Sequence, residues 1–445
     1  MKKRLGFILV LALVVSMLGG LGAQAQTDWI TAEDISDMPE TTIHYWYYES
    51  AERIELGQKQ VEQFMEKYPN IKVVGSTAPN YTDNEMLMSY IQTQTNSSIH
   101  QSVNNEDLWY VEHKMLYPLN NFPDFEEVYA RFNPALNYTH PDGNTYSISW
   151  YNEPYYMLYD KKVLETLGID VPRTYSEYYA FAEAVTDPEN KKWAIVPDLG
   201  EEWWRWEFVA QPFYIAARGN AQFFDEEGKL VINNENMVQA HEFFAKLYKE
   251  GWAVNDKFNI NPFFSGNTAS ALGSIWLVPQ ARENAPKDFE YVIGPIPKPD
   301  GSENTGYETF SFVRNLCIID PMFAKDDDEG DRIRRASWEF MKFLLSDEQC
   351  AADFLATGSF PCVAEFENNP VYTEAIDAFG REEFEALKAI RDTGCIGDIA
   401  NPMVCEVMGT LQDAYLQSVL NGVDPAQALA VAEEESLALL EEGLE

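Results

Sequence analysis

A strand–helix–strand pattern near the start of this 445-residue chain constrains its fold more than any other feature. Residues 42–48 and 70–74 are two short runs with the composition of β-strands. Between them, apolar residues recur at the spacing of one helix face. They are Val61, Phe64, Met65 and Tyr68. Two strands joined through a helix pair in parallel, so the pattern predicts an α/β protein, and the chain length suits two domains.

Further helices are indicated along the chain. Thr174 is followed three residues later by Glu177, which predicts a helix that begins with a capping box. Pro425 predicts the first turn of a last helix that runs to about Leu440. An apolar stripe predicts one more helix, at Trp338, Met341 and Leu345.

The acidic run at 326–331 is a candidate calcium loop that fails on spacing. With Gly330 at the sixth position of such a loop, Lys325 and Ala336 occupy the first and twelfth positions, where carboxylates are needed. We therefore expect a solvated loop there.

The charge balance excludes some partners. The chain has 72 acidic against 32 basic residues, a formal net charge of −40. Such a field repels phosphate, so nucleic acids and anionic membrane surfaces are disfavoured as partners. Aromatic residues make up 14% of the chain, whereas disordered acidic chains are poor in them, so a folded protein is expected.

The N-terminus has the features of a secretory signal. Three basic residues at 2–4 precede an apolar run at 7–18, and Ala23 and Ala25 fit a small-x-small cleavage site. Residues 1–25 are therefore predicted to be a cleaved signal peptide, which places the protein in the periplasm or outside the cell. A single membrane anchor is the alternative, and the run is short for it. No cysteine follows the run, so a lipid anchor at that point is not available.

All five cysteines lie in the C-terminal third, at Cys317, Cys350, Cys362, Cys395 and Cys405. Export permits disulfides, and Cys350–Cys362 or Cys395–Cys405 are the nearest pairs. The chain has no CxxC motif, so a zinc or redox site is not indicated. We favour buried thiols with one or two bridges at most.

Motifs for catalysis are missing from the sequence. It has no HExxH, no GxSxG and no GxxxxGK[ST], and no two of its five histidines are four residues apart. We therefore expect no enzyme, no cofactor and no metal site.

Aromatic residues cluster beside polar ones at 45–49, 150–156, 201–206 and 273–276. One face of a pyranose ring carries mostly C–H groups and stacks on an aromatic plane, while its hydroxyls need donors and acceptors at the ring edge. Most single aromatics belong to a core. The three tryptophans within 203–206, however, do not all fit one core face. The clusters are typical of a carbohydrate site.

Several motifs occur in a recurring order. Residues 42–74 contain a strand ending in tryptophan, a helix and Phe-x-x-x-x-Pro-x-Ile-x-Val. Residues 143–183 contain Tyr-Asp-Lys-Lys and Pro-Arg-Thr-Tyr-Ser-Glu. Related motifs follow at 264–276, 294–297, 340–349, 359–361 and 419–429. This order resembles the extracellular solute-binding proteins of ABC sugar importers, the family that includes maltose-binding protein. The segments at 98–103 and 305–309, which help to line the cleft in that family, depart from its pattern.

The resemblance implies a two-lobed periplasmic-binding-protein fold of the type II kind, with a hinge and a ligand cleft between the lobes. Lobe one is expected at 27–140 plus 285–335, and lobe two at 141–284 plus 336–445. The expected partners are a neutral mono- or oligosaccharide and a membrane permease, and the receptor is expected to be a monomer. The candidate ligand-binding residues are Trp46, Tyr48, Glu49, Tyr81, Asp107, Trp150, Tyr151, Glu153, Trp204, Trp206, Trp276 and Glu308. Of these, Tyr81 is chosen only because it lies in a predicted loop.

Two alternatives remain open at this stage. An exported carbohydrate-active enzyme would need two carboxylates facing each other across a cleft. A sensor would pass its bound state to a membrane kinase instead of a permease. Arg205 and Arg314 are the arginines that could reach a cleft, and both are expected to be solvated or paired, which favours a neutral ligand.

Overall fold

A computed structural model describes residues 28–47, 51–77, 98–103, 107–197, 206–218, 223–225, 227–256, 258, 260–302, 306–320, 327–392, 394–395, 401 and 403–442. The predicted signal peptide at 1–25 lies outside these residues. None of the described helices combines the length and the apolar character that a membrane span requires.

The strands form two mixed or antiparallel sheets. The strands are β1 (Thr41–Tyr47), β2 (Ile71–Thr77), β3 (Ile99–Val103), β4 (Ser147–Pro154), β5 (Tyr156–Asp160), β6 (Ser270–Gly273), β7 (Tyr291–Gly294), β8 (Thr309–Ile318), β9 (Phe360–Pro361) and β10 (Gly394–Cys395). The larger sheet has the order β2-β1-β3-β8-β4-β9, with β10 also paired to β8, and the smaller has the order β6-β5-β7. Strands β1 and β2 are parallel, with Thr41 beside Ile71, so the predicted strand–helix–strand unit is confirmed.

Helices cover both sheets. They are α1 (Ala51–Lys67), α2 (Asp107–Glu112), α3 (Phe125–Tyr129), α4 (Lys161–Leu167), α5 (Tyr175–Val185), α6 (Gln211–Arg218), α7 (Glu235–Lys249), α8 (Leu277–Asn284), α9 (Asp328–Leu344), α10 (Asp347–Thr357), α11 (Thr373–Phe379), α12 (Arg381–Arg391), α13 (Val404–Tyr415) and α14 (Pro425–Glu442). The capping box of Thr174 and Glu177 is present at the start of α5, and α14 begins at Pro425 as predicted.

The acidic run near 327–331 corrects one expectation. It begins a helix rather than forming a solvated loop, because Asp327 caps α9 and its side chain accepts a hydrogen bond from the Gly330 amide. Asp328, Glu329 and Asp331 lie in the first turn of α9. Carboxylates at that end interact favourably with the helix dipole, so the run starts a helix.

Two large apolar clusters make up most of the core. The first contains residues of β1, α1, β4 and α9 to α12, and the second contains residues of α5 to α7, α13 and α14. Strand β5 lies between them. Its side chains Tyr156 and Leu158 belong to the first cluster, whereas Met157 and Tyr159 belong to the second. The smaller sheet is thus covered on both faces.

The clusters do not follow the lobe boundary expected at residue 336. Helices α9 to α12 pack in the first cluster, where the ring of Phe340 lies 5.1 Å from that of Tyr45 and 4.8 Å from that of Phe64. Strand β4, placed by the prediction in lobe two, pairs with β8 in the larger sheet. The clusters therefore group 327–392 with the N-terminal elements, because apolar residues of α9 pack against β1 and α1.

Three of the cysteines are buried and reduced. Cys317, Cys350 and Cys362 are free thiols, so the bridge considered between Cys350 and Cys362 is not formed. Burial raises the pKa of the Cys362 thiol well above its usual value, which makes this thiol unreactive. The side chains of Cys395 and Cys405 lie outside the described part of the structure.

Candidate functional site

A cavity of about 470 Å³ lies where the two core clusters meet. It is lined by residues of α1, β4, β8, α8 and α10 and of the segments that connect them. The lining residues are Arg53, Tyr151, Glu153, Tyr155, Phe208, Trp276, Pro279, Gln280, Glu283, Phe312, Arg314, Ala356, Thr357 and Ser359. Its volume is in the range of small-molecule sites in proteins.

Four aromatic residues that pack on the second cluster form what we call the aromatic side of the cavity: Tyr155, Phe208, Trp276 and Phe312. The rings of Tyr155 and Phe208 are stacked, with centroids 5.8 Å apart and planes 15° apart. Trp276 lies at 82° to Tyr155, with centroids 5.5 Å apart. Tyr155 is 1% exposed, while Phe208 and Trp276 are half-buried, so the last two keep exposed side-chain surface where they line the cavity.

The polar side of the cavity, which we define as Arg53, Glu153, Thr357 and Ser359, is held by elements of the first cluster. The Arg53 Nη2 atom donates to Ser359 Oγ at 3.1 Å and lies 3.7 Å from Glu153 Oε1. Ser359 Oγ in turn donates to Glu153 Oε1 at 2.5 Å. These contacts fix the guanidinium, the carboxylate and the hydroxyl before any ligand enters.

Two further contacts hold Arg53. Its Nη1 atom lies 3.5 Å from Asp353 Oδ1, and its guanidinium centre lies 4.4 Å above the ring of Tyr151. Burial alone would lower the pKa of Arg53, but Tyr151, Asp353 and Glu153 raise it above its usual value. Arg53 therefore stays charged in the cavity. Burial raises the pKa of Asp353, although Arg53 and a hydrogen bond from Thr357 act in the opposite direction.

The remaining cation at the cavity is Arg314 of β8. Its guanidinium centre lies 4.8 Å above the ring of Phe312, which also lines the cavity. This is a cation–π geometry, in which the guanidinium lies over an aromatic face. The combination suits a ligand that has both apolar ring faces and hydroxyl edges.

Three of the twelve candidate residues line the cavity: Tyr151, Glu153 and Trp276. Tyr151 and Glu153 are two residues apart on β4, so their side chains point to the same face of the strand. Trp276 precedes α8 and packs against both core clusters. Their role in ligand binding stays a prediction, but the structure does bring them together.

Four other candidates lie in different surroundings. Trp46 packs in a small separate cluster with Tyr110 and Cys317. Trp150 is 2% exposed within the first cluster, and Trp206 is fully buried in the second. Glu308 pairs with Lys298, whose Nζ lies 2.8 Å from Glu308 Oε2. The cavity is not lined by these four, so the aromatics among them serve the core in this structure.

Asp107 is also buried away from the cavity. Its carboxylate accepts hydrogen bonds from Ser102 of β3, Ser147 of β4 and Asn315 of β8, the last at 2.8 Å. The carboxylate thus ties three strands of the larger sheet together. Burial raises its pKa to about 6, although the three hydrogen bonds lower it.

The raised pKa of Asp107 predicts a pH dependence of stability. The folded carboxyl keeps its proton up to about pH 6, whereas an unfolded aspartate loses it at about pH 3.9. Between these values the folded state binds more protons, so the contribution of Asp107 to the free energy of unfolding falls as the pH rises. The free energy of unfolding of Asp107→Asn, relative to that of the wild type, should therefore rise by about 2–3 kcal/mol between pH 4 and pH 7.

Urea titrations of both proteins across that pH range measure this difference in the free energy of unfolding. The contributions of the other carboxylates are the same in both proteins, so they cancel. The exposed Asp288→Asn variant is the control and should keep a constant difference from the wild type. A constant difference for Asp107→Asn as well would contradict the prediction.

The remaining four candidates, Tyr48, Glu49, Tyr81 and Trp204, lie outside the described residues, as does Arg205.

Several residues of the cavity were not predicted from the sequence. Arg53 is the main one, and its position offered a signal, since it lies in the first turn of the helix that follows β1. Ligands bind at the carboxyl ends of parallel strands in α/β proteins. Tyr155 lay within the aromatic cluster at 150–156 and Ser359 within the motif at 359–361, but neither was chosen as a ligand-binding residue. Phe208 and Phe312 carried no signal, because an isolated phenylalanine is usually a core residue.

Within the described residues, no group of His, Cys, Asp and Glu side chains could hold a metal ion. The side chains at the cavity offer stacking faces, a fixed guanidinium and hydrogen-bond acceptors. Such a set is suited to binding a polar, ring-containing molecule.

Comparison with known proteins agrees with a binding role. Residues 59–380 match the family described as bacterial extracellular solute-binding protein, which is more than half of the chain. The chain belongs to this family. The predicted resemblance is thereby confirmed, and the expectation of a binding protein rather than an enzyme agrees with the family. Membership also implies a periplasmic or extracellular location for this solute-binding protein.

Individual relatives are distant but cover the chain well. The arabinooligosaccharide-binding protein of Halalkalibacterium halodurans is 20% identical over 88% of each chain. Two solved structures share the fold of this solute-binding protein, which confirms the two-lobed class. The Lmo0181 protein of Listeria monocytogenes in complex with cycloalternan has a TM-score of 0.71 at 18% identity, covering 90% of this chain and 99% of its own. The GacH receptor of Streptomyces glaucescens has a TM-score of 0.74 at 16% identity, covering the same shares.

Proposed function

We propose that this solute-binding protein captures a neutral carbohydrate in the cavity between its core clusters and delivers it to an ABC permease. The observation that carries the proposal is the composition of the cavity. Half-buried aromatic faces lie on the side of one cluster, and a fixed group of Arg53, Glu153 and Ser359 lies on the side of the other. A sugar ring stacks on the first and hydrogen-bonds to the second.

The ligands of the relatives support the same class of molecule. The curated relative is named for binding arabinooligosaccharides, and the solved structures contain cycloalternan or acarbose. The ion pairs of Arg53 with Glu153 and Asp353 leave this cation neutralised, which favours a neutral sugar over an anionic one.

The strand pair β4 and β8 supports a closing motion. In β8, Phe310 and Phe312 belong to the second cluster, whereas Val313, Leu316 and Ile318 belong to the first. The pair therefore runs from one cluster to the other beside the cavity. Closure over a sugar removes both ring faces and aromatic faces from water, and the ligand stabilises the closed form by its higher affinity for it.

Export, oligomeric state and recognition by the permease complete the proposed function. The signal at 1–25 is cleaved on export, and the mature receptor acts as a monomer. The closed form presents to the permease the outer surfaces of the two parts of the molecule that surround these clusters. The permease thereby distinguishes loaded from empty receptors.

A thermal-shift panel tests the proposal on the mature chain. Arabinotriose, maltotriose, arabinose and glucose are each added in excess, with an equimolar amino acid mixture as the control. A bound sugar at 100 times its Kd stabilises the folded state by about 2.7 kcal/mol and raises the Tm accordingly. If a broad panel of sugars and polyols leaves the Tm unchanged, the carbohydrate assignment is wrong. Release of reducing ends from a bound sugar would instead indicate an enzyme.

A further inference from the structure

The segment that carries Phe208 has an unusual backbone. Residues Trp206–Ala210 form a π-helical turn directly before α6. Such turns are rare and occur often at functional sites. Phe208 projects from this turn into the cavity, where it stacks on Tyr155 and meets Phe312 edge-on with centroids 5.7 Å apart.

A buried chain of hydrogen bonds begins at the same turn. The indole Nε1 of Trp206 donates to His241 Nε2 at 3.1 Å, and His241 Nδ1 lies 3.0 Å from Ser418 Oγ. Ser418 Oγ donates to the Ala414 carbonyl at 2.7 Å. The Trp206 amide also donates to Gln412 Oε1 at 2.8 Å. This hydrogen-bond network therefore connects the turn to α7, to α13 and to a second π-helical turn, Leu416–Leu420.

The hydrogen-bond pattern determines the tautomer of His241. The indole N–H is a donor only, so Nε2 must accept and the ring proton must lie on Nδ1. That proton is donated to Ser418 Oγ, whose own hydrogen points to Ala414. His241 is fully buried, and burial lowers its pKa to about 3, so the ring stays neutral in this role.

The network does not reach the cavity itself. None of Trp206, His241, Gln412 and Ser418 lines it, and all four are buried. The network therefore makes no contact with the cavity, yet it lies two residues from Phe208, which does line it. Its position is suited to orienting the Phe208 ring.

We propose that Trp206, His241 and Ser418 form a positioning network that holds the π-helical turn so that Phe208 presents its ring to the ligand. His241 is the central positioning residue, since it bonds to Trp206 in the first π-helical turn and to Ser418 in the second. This inference rests on the proposed function, because it assigns Phe208 to the ligand platform.

The first test needs no ligand. 4-Fluorophenylalanine is placed at position 208 of the mature chain, and its ¹⁹F resonance is recorded. His241→Leu removes both hydrogen bonds and should shift or broaden the resonance. His241→Gln keeps an acceptor for the indole and should restore most of the wild-type signal. Met237→Ala, at a fully buried position of the same helix outside the network, is the control for general loss of packing and should leave the resonance unchanged.

The second test is a double-mutant cycle with arabinotriose, or with the tightest binder of the sugar panel. His241→Leu should weaken binding about tenfold in the wild-type background and less than twofold once Phe208→Ala has removed the ring. In combination with Trp276→Ala, the effect of His241→Leu should remain about tenfold.

The outcomes separate the two proposals. An unchanged ¹⁹F resonance in His241→Leu, or an equal effect of His241→Leu with and without Phe208, overturns the positioning role. If no sugar binds the wild type, the carbohydrate function is overturned, while the ¹⁹F result still decides whether the network positions Phe208.

Discussion

Replacing Arg53 by methionine should lower the free energy of unfolding by about 3 kcal/mol. The side chains of Arg53, Glu153 and Asp353 are 13%, 12% and 4% exposed, so removal of the cation leaves two carboxylates in a site from which water is largely excluded. The methionine keeps most of the volume, so the loss reports the charges rather than a void. Urea denaturation monitored by far-UV circular dichroism measures the change.

Lys59→Met is the matched control for this prediction. Lys59 lies on the same helix α1 and also forms an ion pair, with Glu55 at 2.7 Å, but both side chains are mostly exposed. Exposed pairs contribute little, so the urea midpoint of this variant should stay close to that of the wild type. Equal midpoints for the Arg53 and Lys59 variants would show that the buried ion cluster does not stabilise the fold.

Replacing Trp276 by alanine should weaken sugar binding by about 2 kcal/mol, or roughly 30-fold. The indole is half-buried, lines the cavity and contacts both core clusters, so it offers a stacking face where the two parts of the molecule meet. Its truncation removes that face and opens the cavity to water. Isothermal titration calorimetry with the tightest sugar of the panel measures the loss.

Trp252→Ala controls for the loss of a tryptophan elsewhere. Trp252 is half-buried against the second cluster, 6.0 Å from Tyr179, and does not line the cavity. This variant should lose stability but keep the wild-type Kd. If both tryptophan variants bind the sugar as tightly as the wild type, Trp276 is not part of the ligand platform.

Local patterns were sufficient for many elements of the fold. The helix-face spacing of Val61 and Phe64 predicted α1, because a helix that covers a sheet must bury one stripe of its surface. The capping box at Thr174 predicted the start of α5, because it depends only on neighbouring residues. The acidic run near 327–331 was misinterpreted, because the same carboxylates suit either a solvated loop or the first turn of a helix.

The candidate site was harder to predict, since aromatic residues serve cores and ligand sites equally well. Trp276 and Trp206 both lie in aromatic clusters of the sequence, yet one lines the cavity and the other is a fully buried anchor beside it. Nothing in the local sequence distinguishes them, because the difference arises from which segments pack around each ring.

The sequence by itself determined the α/β class, the parallel unit of β1 and β2, the family and the expectation of a binding protein, because these depend on short-range periodicity and on the order of motifs. Only the tertiary structure decided which side chains form the cavity. It joins Arg53, Glu153, Ser359 and Trp276 from distant parts of the chain, and it groups 327–392 with the N-terminal elements. The physical reason is that burial and ion pairing depend on contacts between distant segments, which spacing along the chain does not encode.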